Sequence, residues 1–159
     1  MIATEVQFAG GKKIVSQAQI LLVDDCKEWR EKLRSMLEAN PDYQVVAEAG
    51  DGLEAIHKAA ELHPEIVLLD IGMPILNGIE AAARIRRASP HSKIVFVTQE
   101  NDRDIRTAAL ATGAERYLLK SRVVSELIPA MDALVPGECA TAGVPDSSNG
   151  HDARALARD

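Results

Sequence analysis

Residues 65–74 read EIVLLDIGMP, so that four apolar residues lead directly to Asp70, and a glycine and a proline follow it closely. A short, continuous apolar run that is closed by turn residues is typical of a strand buried on both faces of a parallel sheet. In open α/β sheets, ligands bind beyond the carboxyl ends of the strands. The sequence therefore predicts that Asp70 lies at the floor of a crevice at that edge of the sheet.

Strand patterns alternate with helix patterns through the rest of this part of the chain. Strands are predicted at residues 19–23, 44–47, 66–69, 93–98 and 116–120, and a helical pattern follows each of them. Pro129 lies inside the last helical pattern, residues 123–134, and predicts that this helix kinks or begins later. Such alternation favours an α/β fold, a parallel sheet with helices on both faces. We expect a flavodoxin-like (βα)5 three-layer sandwich with strand order 2-1-3-4-5.

Composition and patterning predict one folded domain between two segments that lack a sustained pattern. The 159 residues are 47% hydrophobic and 26% charged, which is ordinary for a globular protein. We expect a flexible leader at residues 1–18, the folded domain at 19–135 and a disordered tail at 136–159. The formal net charge of −6 does not favour sequence-independent binding to nucleic acid. No signal-peptide pattern and no apolar run of membrane-spanning length was found in the sequence, so a cytoplasmic protein without membrane contact is expected.

Three carboxylates are predicted to meet at the carboxyl edge of the sheet. Asp24 and Asp25 follow the first strand as Asp70 follows the third, and the expected strand order makes these strands neighbours. Clustered carboxylates repel one another unless a cation lies between them, and Mg²⁺ prefers hard oxygen ligands of this kind. Thr98 and Lys120 end the fourth and fifth strands at the same edge. With the metal, they could hold the three oxygens of a phosphoryl group bonded to Asp70.

Five motifs follow one another along the predicted domain. They are LLVDD at 21–25, LLDIGMP at 68–74 with LNGIE at 76–80, FVT at 96–98, TGA at 112–114 and YLLK at 117–120. Together they resemble the receiver domain of bacterial two-component response regulators, and the resemblance spans nearly all of residues 19–135. Ser121 stands where many receivers have proline. In this respect the chain resembles the subgroup of receivers that is often joined to helix-turn-helix output domains.

The resemblance implies a phosphoacceptor and a metal site. Asp70 would accept a phosphoryl group from a sensor histidine kinase or a phosphotransfer protein. Mg²⁺ would be held by Asp24, Asp25, Asp70 and the main-chain carbonyl of Gly72. The chain would then be a phosphorylation-controlled switch in a two-component phosphorelay. It would assist its own phosphorylation and dephosphorylation without being a turnover enzyme.

The resemblance also implies how the switch works. Thr98 would hydrogen-bond the phosphoryl group, Lys120 would pair with it, and Tyr117 would be the aromatic switch residue. The face formed by the fourth helix, the fifth strand and the fifth helix would then change, and an output protein that the sequence does not identify would bind it. A phosphorylation-dependent homodimer is a further expected partner, whereas direct binding to nucleic acid is not expected.

Two other functions stay open. A Mg²⁺-dependent phosphatase that works through an aspartyl phosphate usually carries Asp-x-Asp after its first strand, whereas Asp24 and Asp25 are adjacent and residue 72 is glycine. A DNA-binding transcriptional regulator would need an output domain, and residues 135–159 show no helix-turn-helix pattern. In that case the chain would be the receiver part of the regulator.

Some residues outside the acidic edge have simpler interpretations. Trp29 is interpreted as a core residue of the first helix. Arg84, Arg86 and Arg87 are interpreted as the exposed last turn of the third helix, where positive charge suits the helix dipole. The four histidines share no metal-binding spacing and are expected at the surface.

Overall fold

The computed structural model of the protein describes residues 7–9, 12–14 and 17–135. Two short antiparallel strands, β1 (Gln7–Ala9) and β2 (Lys12–Ile14), form a small sheet of their own within the expected leader. The sequence analysis did not predict this pair of strands. The predicted tail, residues 136–159, lies outside the described residues, and the flexibility of the leader stays a prediction.

The main sheet has five parallel strands, and its topology confirms the predicted flavodoxin-like fold. The strands are β3 (Ala18–Val23), β4 (Tyr43–Ala49), β5 (Ile66–Leu69), β6 (Lys93–Thr98) and β7 (Arg116–Leu119). Their spatial order is β4-β3-β5-β6-β7, which is the predicted 2-1-3-4-5 when β3 is counted as the first strand. β7 ends one residue earlier than predicted, because Lys120 begins a 3₁₀ turn, Lys120–Arg122.

Five helices connect these strands or follow them. They are α1 (Lys27–Glu38), α2 (Gly52–Leu62), α3 (Gly78–Ala88), α4 (Arg103–Ala111) and α5 (Val123–Leu134). Asp51, Asn77 and the predicted cap Asp102 accept main-chain N–H groups of the first turns of α2, α3 and α4, which satisfies donors that a helix start leaves unpaired. α5 begins at Val123 and contains Pro129, so the later start considered from the sequence is wrong. None of the helices in the described part of the chain is long and apolar enough to cross a bilayer.

The strands bury apolar side chains on both faces of the sheet, as their continuous apolar runs predict. Leu21, Val67 and Phe96 pack on one face with residues of α2, α3 and α4, whereas Leu22 and Leu68 pack on the other with residues of α1 and α5. All five are at most 1% exposed, and full burial of each such side chain contributes about 1.5–3 kcal/mol. The carboxyl ends of the central strands are therefore set on a well-packed framework.

Gly78 lets the start of α3 lie directly against Asp70. A Cβ atom at Gly78 would lie 2.0 Å from the main-chain oxygen of Asp70, so no side chain fits there. The Gly78 N–H also donates to the carbonyl of Ile71 at 2.8 Å. The loop that follows β5 is thereby held close to the end of its strand.

Candidate functional site

The structure brings the three predicted carboxylates together. Asp24 and Asp25 follow β3 and Asp70 follows β5, and one carboxylate oxygen of each residue lies within 4.8 Å of the other two. Asp24 and Asp70 are buried, whereas Asp25 is exposed. The expected meeting of these side chains at the carboxyl edge is therefore confirmed.

The oxygens of Asp24 have different partners, and their arrangement fits a bound divalent cation. Oδ1 accepts the Cys26 N–H at 2.9 Å, whereas the buried Oδ2 has no hydrogen-bond partner. Lys120 Nζ lies 2.6 Å from Oδ2 as an ion pair, outside hydrogen-bond geometry. The single Lys120 ammonium serves a cluster of three carboxylates, so a further cation among them would be favourable. The clustered hard oxygens suit Mg²⁺, which uses one or two carboxylates and keeps several waters.

Lys120 is the buried cation of this cluster. Its side chain is 5% exposed, and Nζ lies 2.6 Å from Asp24 Oδ2 but 3.7 Å from Asp70 Oδ2. Lys120 thus pairs more closely with Asp24 than with Asp70. One ammonium faces three carboxylates, so the cluster itself keeps an excess of two negative charges.

The environment of Asp70 disfavours its charged form. Burial raises the pKa of the Asp70 carboxyl above its ordinary 3.8, and the neighbouring Asp24 carboxylate raises it further. The ammonium of Lys120, the Ile71 N–H and the Thr98 hydroxyl act in the opposite direction. The Ile71 N–H donates to Asp70 Oδ1 at 2.8 Å. A cation bound beside Asp70, or a neutral side chain in its place, should therefore remove the unfavourable effect of the Asp70 charge.

Asp70→Asn is expected to stabilise the protein in EDTA at pH 7, by on the order of 1 kcal/mol. Because the pKa of Asp70 is higher in the folded state, that state binds more protons than the unfolded chain between the two pKa values. The contribution of this carboxyl to the free energy of unfolding therefore falls as the pH rises through that window. Above the window, the charged carboxylate destabilises the folded state to its full extent. Urea unfolding should show that Asp70→Asn increases the free energy of unfolding, relative to wild type, more at pH 7 than at pH 4. Equal gains at both pH values would contradict the assigned charge penalty.

Thr98 and Tyr117 both form hydrogen bonds with the main chain of Glu100. Thr98, at the end of β6, accepts the Glu100 N–H through Oγ1 at 3.2 Å. The Tyr117 hydroxyl donates to the Glu100 carbonyl at 2.8 Å. Tyr117 is 8% exposed, and its ring centroid lies 5.2 Å from the Arg106 guanidinium carbon and 6.2 Å from the Phe96 ring centroid. Glu100 therefore links the acidic cluster to the side of the domain formed by α4 and β7.

The carboxylates open into a cleft with several lining residues that sequence reasoning missed. Sequence reasoning did not predict that Cys26, Trp29, Gln99 and Glu100 line the cleft, beside Asp25, Asp70, Gly72, Thr98 and Lys120. Their positions directly after strand ends, or in the first turn of the following helix, are the signal that could have identified them. The interpretation of Trp29 as a plain core residue is incomplete. It is half-buried against the core, but its ring centroid also lies 4.9 Å from Lys120 Nζ.

Arg86 corrects the interpretation of the three arginines as one exposed helix end. Arg84 and Arg87 are exposed, whereas Arg86 is half-buried. Its guanidinium donates to the carbonyls of Thr112 and Gly113, and it therefore ties α3 to the loop before β7. The expected surface positions of His57, His63 and His91 are confirmed. His151 lies outside the described residues.

Known proteins with similar sequences share this domain. A sequence model described as "Response regulator receiver domain" matches residues 20–132. The transcriptional regulatory protein LiaR of Bacillus subtilis is 38% identical over 120 residues, which cover 76% of this chain and 57% of LiaR. The nitrate/nitrite response regulator protein NarL of Escherichia coli is 36% identical over 121 residues, which cover 76% of this chain and 56% of NarL. The chain thus spans a little over half the length of these relatives.

Solved structures show the same fold. The response regulator domain of Thermotoga maritima CheB superimposes with a TM-score of 0.69 at 34% identity, over 76% of this chain and 99% of that domain. A LuxR-family two-component response regulator from Aurantimonas superimposes with a TM-score of 0.71 at 38% identity, over 75% of this chain and 85% of that chain. The residues matched by the sequence model include the whole acidic cluster, Thr98, Tyr117 and Lys120.

Proposed function

This chain belongs to the response regulator receiver domain family, and we propose that Asp70 accepts the phosphoryl group that controls it. The observation that carries the proposal is the meeting of three carboxylates and one buried lysine in a cleft. Asp70 belongs to this cluster, lines the cleft, and has Lys120 Nζ 3.7 Å from its Oδ2. Phosphoryl transfer depends mainly on positioning and charge neutralisation. Labelling with acetyl phosphate tests the assignment, as described in the Discussion.

The residues around Asp70 have complementary roles in the transfer. A carboxylate oxygen of Asp70 attacks phosphorus while the bond to the leaving group of the donor breaks, which forms an acyl phosphate. The Lys120 ammonium pairs with the phosphoryl oxygens, and the Thr98 hydroxyl donates a hydrogen bond to them. When bound, Mg²⁺ would neutralise charge on these oxygens. Its proposed ligands are Asp24, Asp25, Asp70 and the main-chain carbonyl of Gly72.

Asp25→Ala is expected to weaken Mg²⁺ binding by more than about tenfold, since the loss of a direct ligand should cost at least as much as the loss of a group that orients one. Asp25 is exposed, so the variant should remain folded. The single tryptophan, Trp29, lines the cleft, and its fluorescence can follow the titration. Asp42→Ala, which removes another exposed carboxylate, is the control. Unchanged Mg²⁺ affinity in Asp25→Ala would place the metal elsewhere.

Phosphorylation would change the α4, β7 and α5 side of the domain through Thr98 and Tyr117. The phosphoryl group adds nearly two negative charges at the cleft. Thr98 Oγ1 accepts the Glu100 N–H, so a displacement of Thr98 toward the phosphoryl group would lengthen this hydrogen bond, and the Glu100 carbonyl accepts the Tyr117 hydroxyl. Tyr117 is therefore proposed as the switch residue. The change biases an equilibrium between two conformations, and a partner that prefers one of them shifts it further.

The phosphodonor is proposed to be a sensor histidine kinase or a phosphotransfer protein, and the altered face is proposed to bind an output protein or a second phosphorylated copy. The family resemblance supports these partners and the proposed work in the cytoplasm, and the match over residues 20–132 supports the proposed limits of the domain. The flexible leader and the disordered tail are proposed from the composition of the sequence alone. We also propose that the chain promotes only its own phosphorylation and dephosphorylation. Continuous turnover of a small phosphate ester would contradict this proposal and favour the alternative function, a Mg²⁺-dependent phosphatase that works through an aspartyl phosphate.

A second candidate is that this receiver controls a DNA-binding transcriptional regulator. LiaR bears the name of a transcriptional regulatory protein, and the chain spans only 57% of its length. In that case, phosphorylation of Asp70 would act on an output domain encoded further along the same gene. A reading frame that continues past the codon for Asp159 into a DNA-binding domain would support this candidate. Direct binding to nucleic acid by the chain of 159 residues is not proposed, because its net charge of −6 disfavours contact with the phosphate backbone.

A further inference from the structure

Arg30 lies behind the turn that carries Asp24 and Asp25. Its Nη1 donates to the main-chain carbonyl of Asp24 at 2.7 Å, and its Nε donates to Glu48 Oε1 at 2.9 Å. The Arg30 side chain is 18% exposed and extends from α1, whereas Glu48 lies on the edge strand β4. One guanidinium therefore joins a helix, a strand and the main chain of a proposed metal ligand.

We propose that Arg30 is a positioning residue for the metal site, and that it fixes the Asp24–Asp25 turn so that both carboxylates face Asp70. The inference rests on the proposed function. The Asp24 N–H donates to the Ala49 carbonyl at 3.1 Å, so with Arg30 in place both main-chain polar groups of Asp24 are anchored. Hydrogen bonds from a guanidinium are stronger than neutral ones. They hold the turn in one orientation before any cation arrives.

Glu48 makes this arrangement compatible with a bound cation. A guanidinium next to a metal site would repel the metal if its charge were uncompensated, but Glu48 lies in direct contact with Arg30. Arg34 also forms an ion pair with Glu48, and it reaches Glu38 rather than Asp24 with its remaining nitrogen. The two arginines share one carboxylate, and only Arg30 reaches the turn of the metal site. Arg34 therefore provides a matched control.

The test is a titration with Mn²⁺ alone, followed by water-proton relaxation, on the full chain without a phosphodonor. Arg30→Gln should bind Mn²⁺ about tenfold more weakly than wild type, which is the usual effect of removing a group that orients a metal ligand. Arg34→Gln should stay within about twofold of wild type on the same scale. Arg30→Lys should lie between them, because one ammonium cannot reproduce the fork that spans Asp24 and Glu48.

Circular dichroism of each variant separates a loss of fold from a loss of positioning. Mn²⁺ affinity of folded Arg30→Gln within twofold of wild type would overturn the inference, as would an equal loss in Arg34→Gln. If Arg30→Gln does not fold, wild-type affinity in Arg30→Lys overturns it instead. A wild-type protein that binds no Mn²⁺ would contradict the proposed metal site itself, and with it this inference.

Discussion

Asp70→Asn should accept no phosphoryl group from acetyl phosphate in the presence of Mg²⁺, whereas the wild-type protein should accept one. The amide of asparagine has nearly the same shape as the carboxylate, but it carries no charge and is not a nucleophile toward phosphorus. Intact-protein mass spectrometry measures the mass of one added phosphoryl group directly. Loss of the modification should be complete, because no other carboxylate occupies the position of Asp70 in the cleft.

The matched control for this substitution is Asp102→Asn, which should be labelled like wild type. Asp102 is exposed and caps α4, and asparagine is an equally good cap. Asp70→Asn is itself expected to be more stable than wild type without metal, and circular dichroism of the variant should show that its loss of labelling does not come from unfolding. Labelling of Asp70→Asn to the wild-type level would contradict the assignment of the phosphoacceptor.

Lys120→Ala should still accept a phosphoryl group, about a hundredfold more slowly, but should not change conformation on activation. Among the described residues, Lys120 is the cation that pairs with both Asp24 and Asp70. Without its ammonium, the phosphoryl oxygens would lose the partner that is proposed to draw β7 and the following turn toward the cleft. Amide NMR of residues 98–125, with Mg²⁺ and with or without beryllofluoride, measures the conformational change separately from the rate of labelling.

Lys32→Ala is the control for Lys120→Ala. Lys32 Nζ lies 4.8 Å from the centroid of the Trp29 ring, about as close as Lys120 Nζ, but Lys32 forms no ion pair with the cluster carboxylates. Its removal should leave both labelling and the NMR shifts as in wild type. Wild-type-like shifts in Lys120→Ala would show that the lysine does not couple phosphorylation to conformation.

The sequence predicted the sheet and its acidic edge because both depend on local patterns. The short apolar runs before Asp24 and Asp70, closed by turn residues, are typical of buried strands, and parallel strands bring their carboxyl ends to one edge. Residues 7–14 were missed because two three-residue strands are too short to show a period. Lys120 was placed at the correct edge, but its closer pairing with Asp24 depends on side-chain geometry that no spacing encodes.

Arg30, Trp29 and Arg86 were the harder residues to interpret. On a charged helix such as α1, one sequence does not tell which side chains turn toward the end of a neighbouring strand. Arg30 and Trp29 do so because α1 starts directly beside the cleft. Arg86 reaches carbonyls 26 and 27 residues away along the chain, so its role is visible only in three dimensions.

The most direct test of the proposed phosphoacceptor is chemical location of the phosphoryl group. Borohydride reduces an acyl phosphate to an alcohol, which converts the modified aspartate to homoserine. After phosphorylation with acetyl phosphate and Mg²⁺, reduction and proteolysis, peptide sequencing by mass spectrometry should find homoserine at position 70 and nowhere else. Homoserine at position 24 or 25, or a phosphoryl group that resists reduction, would contradict the account.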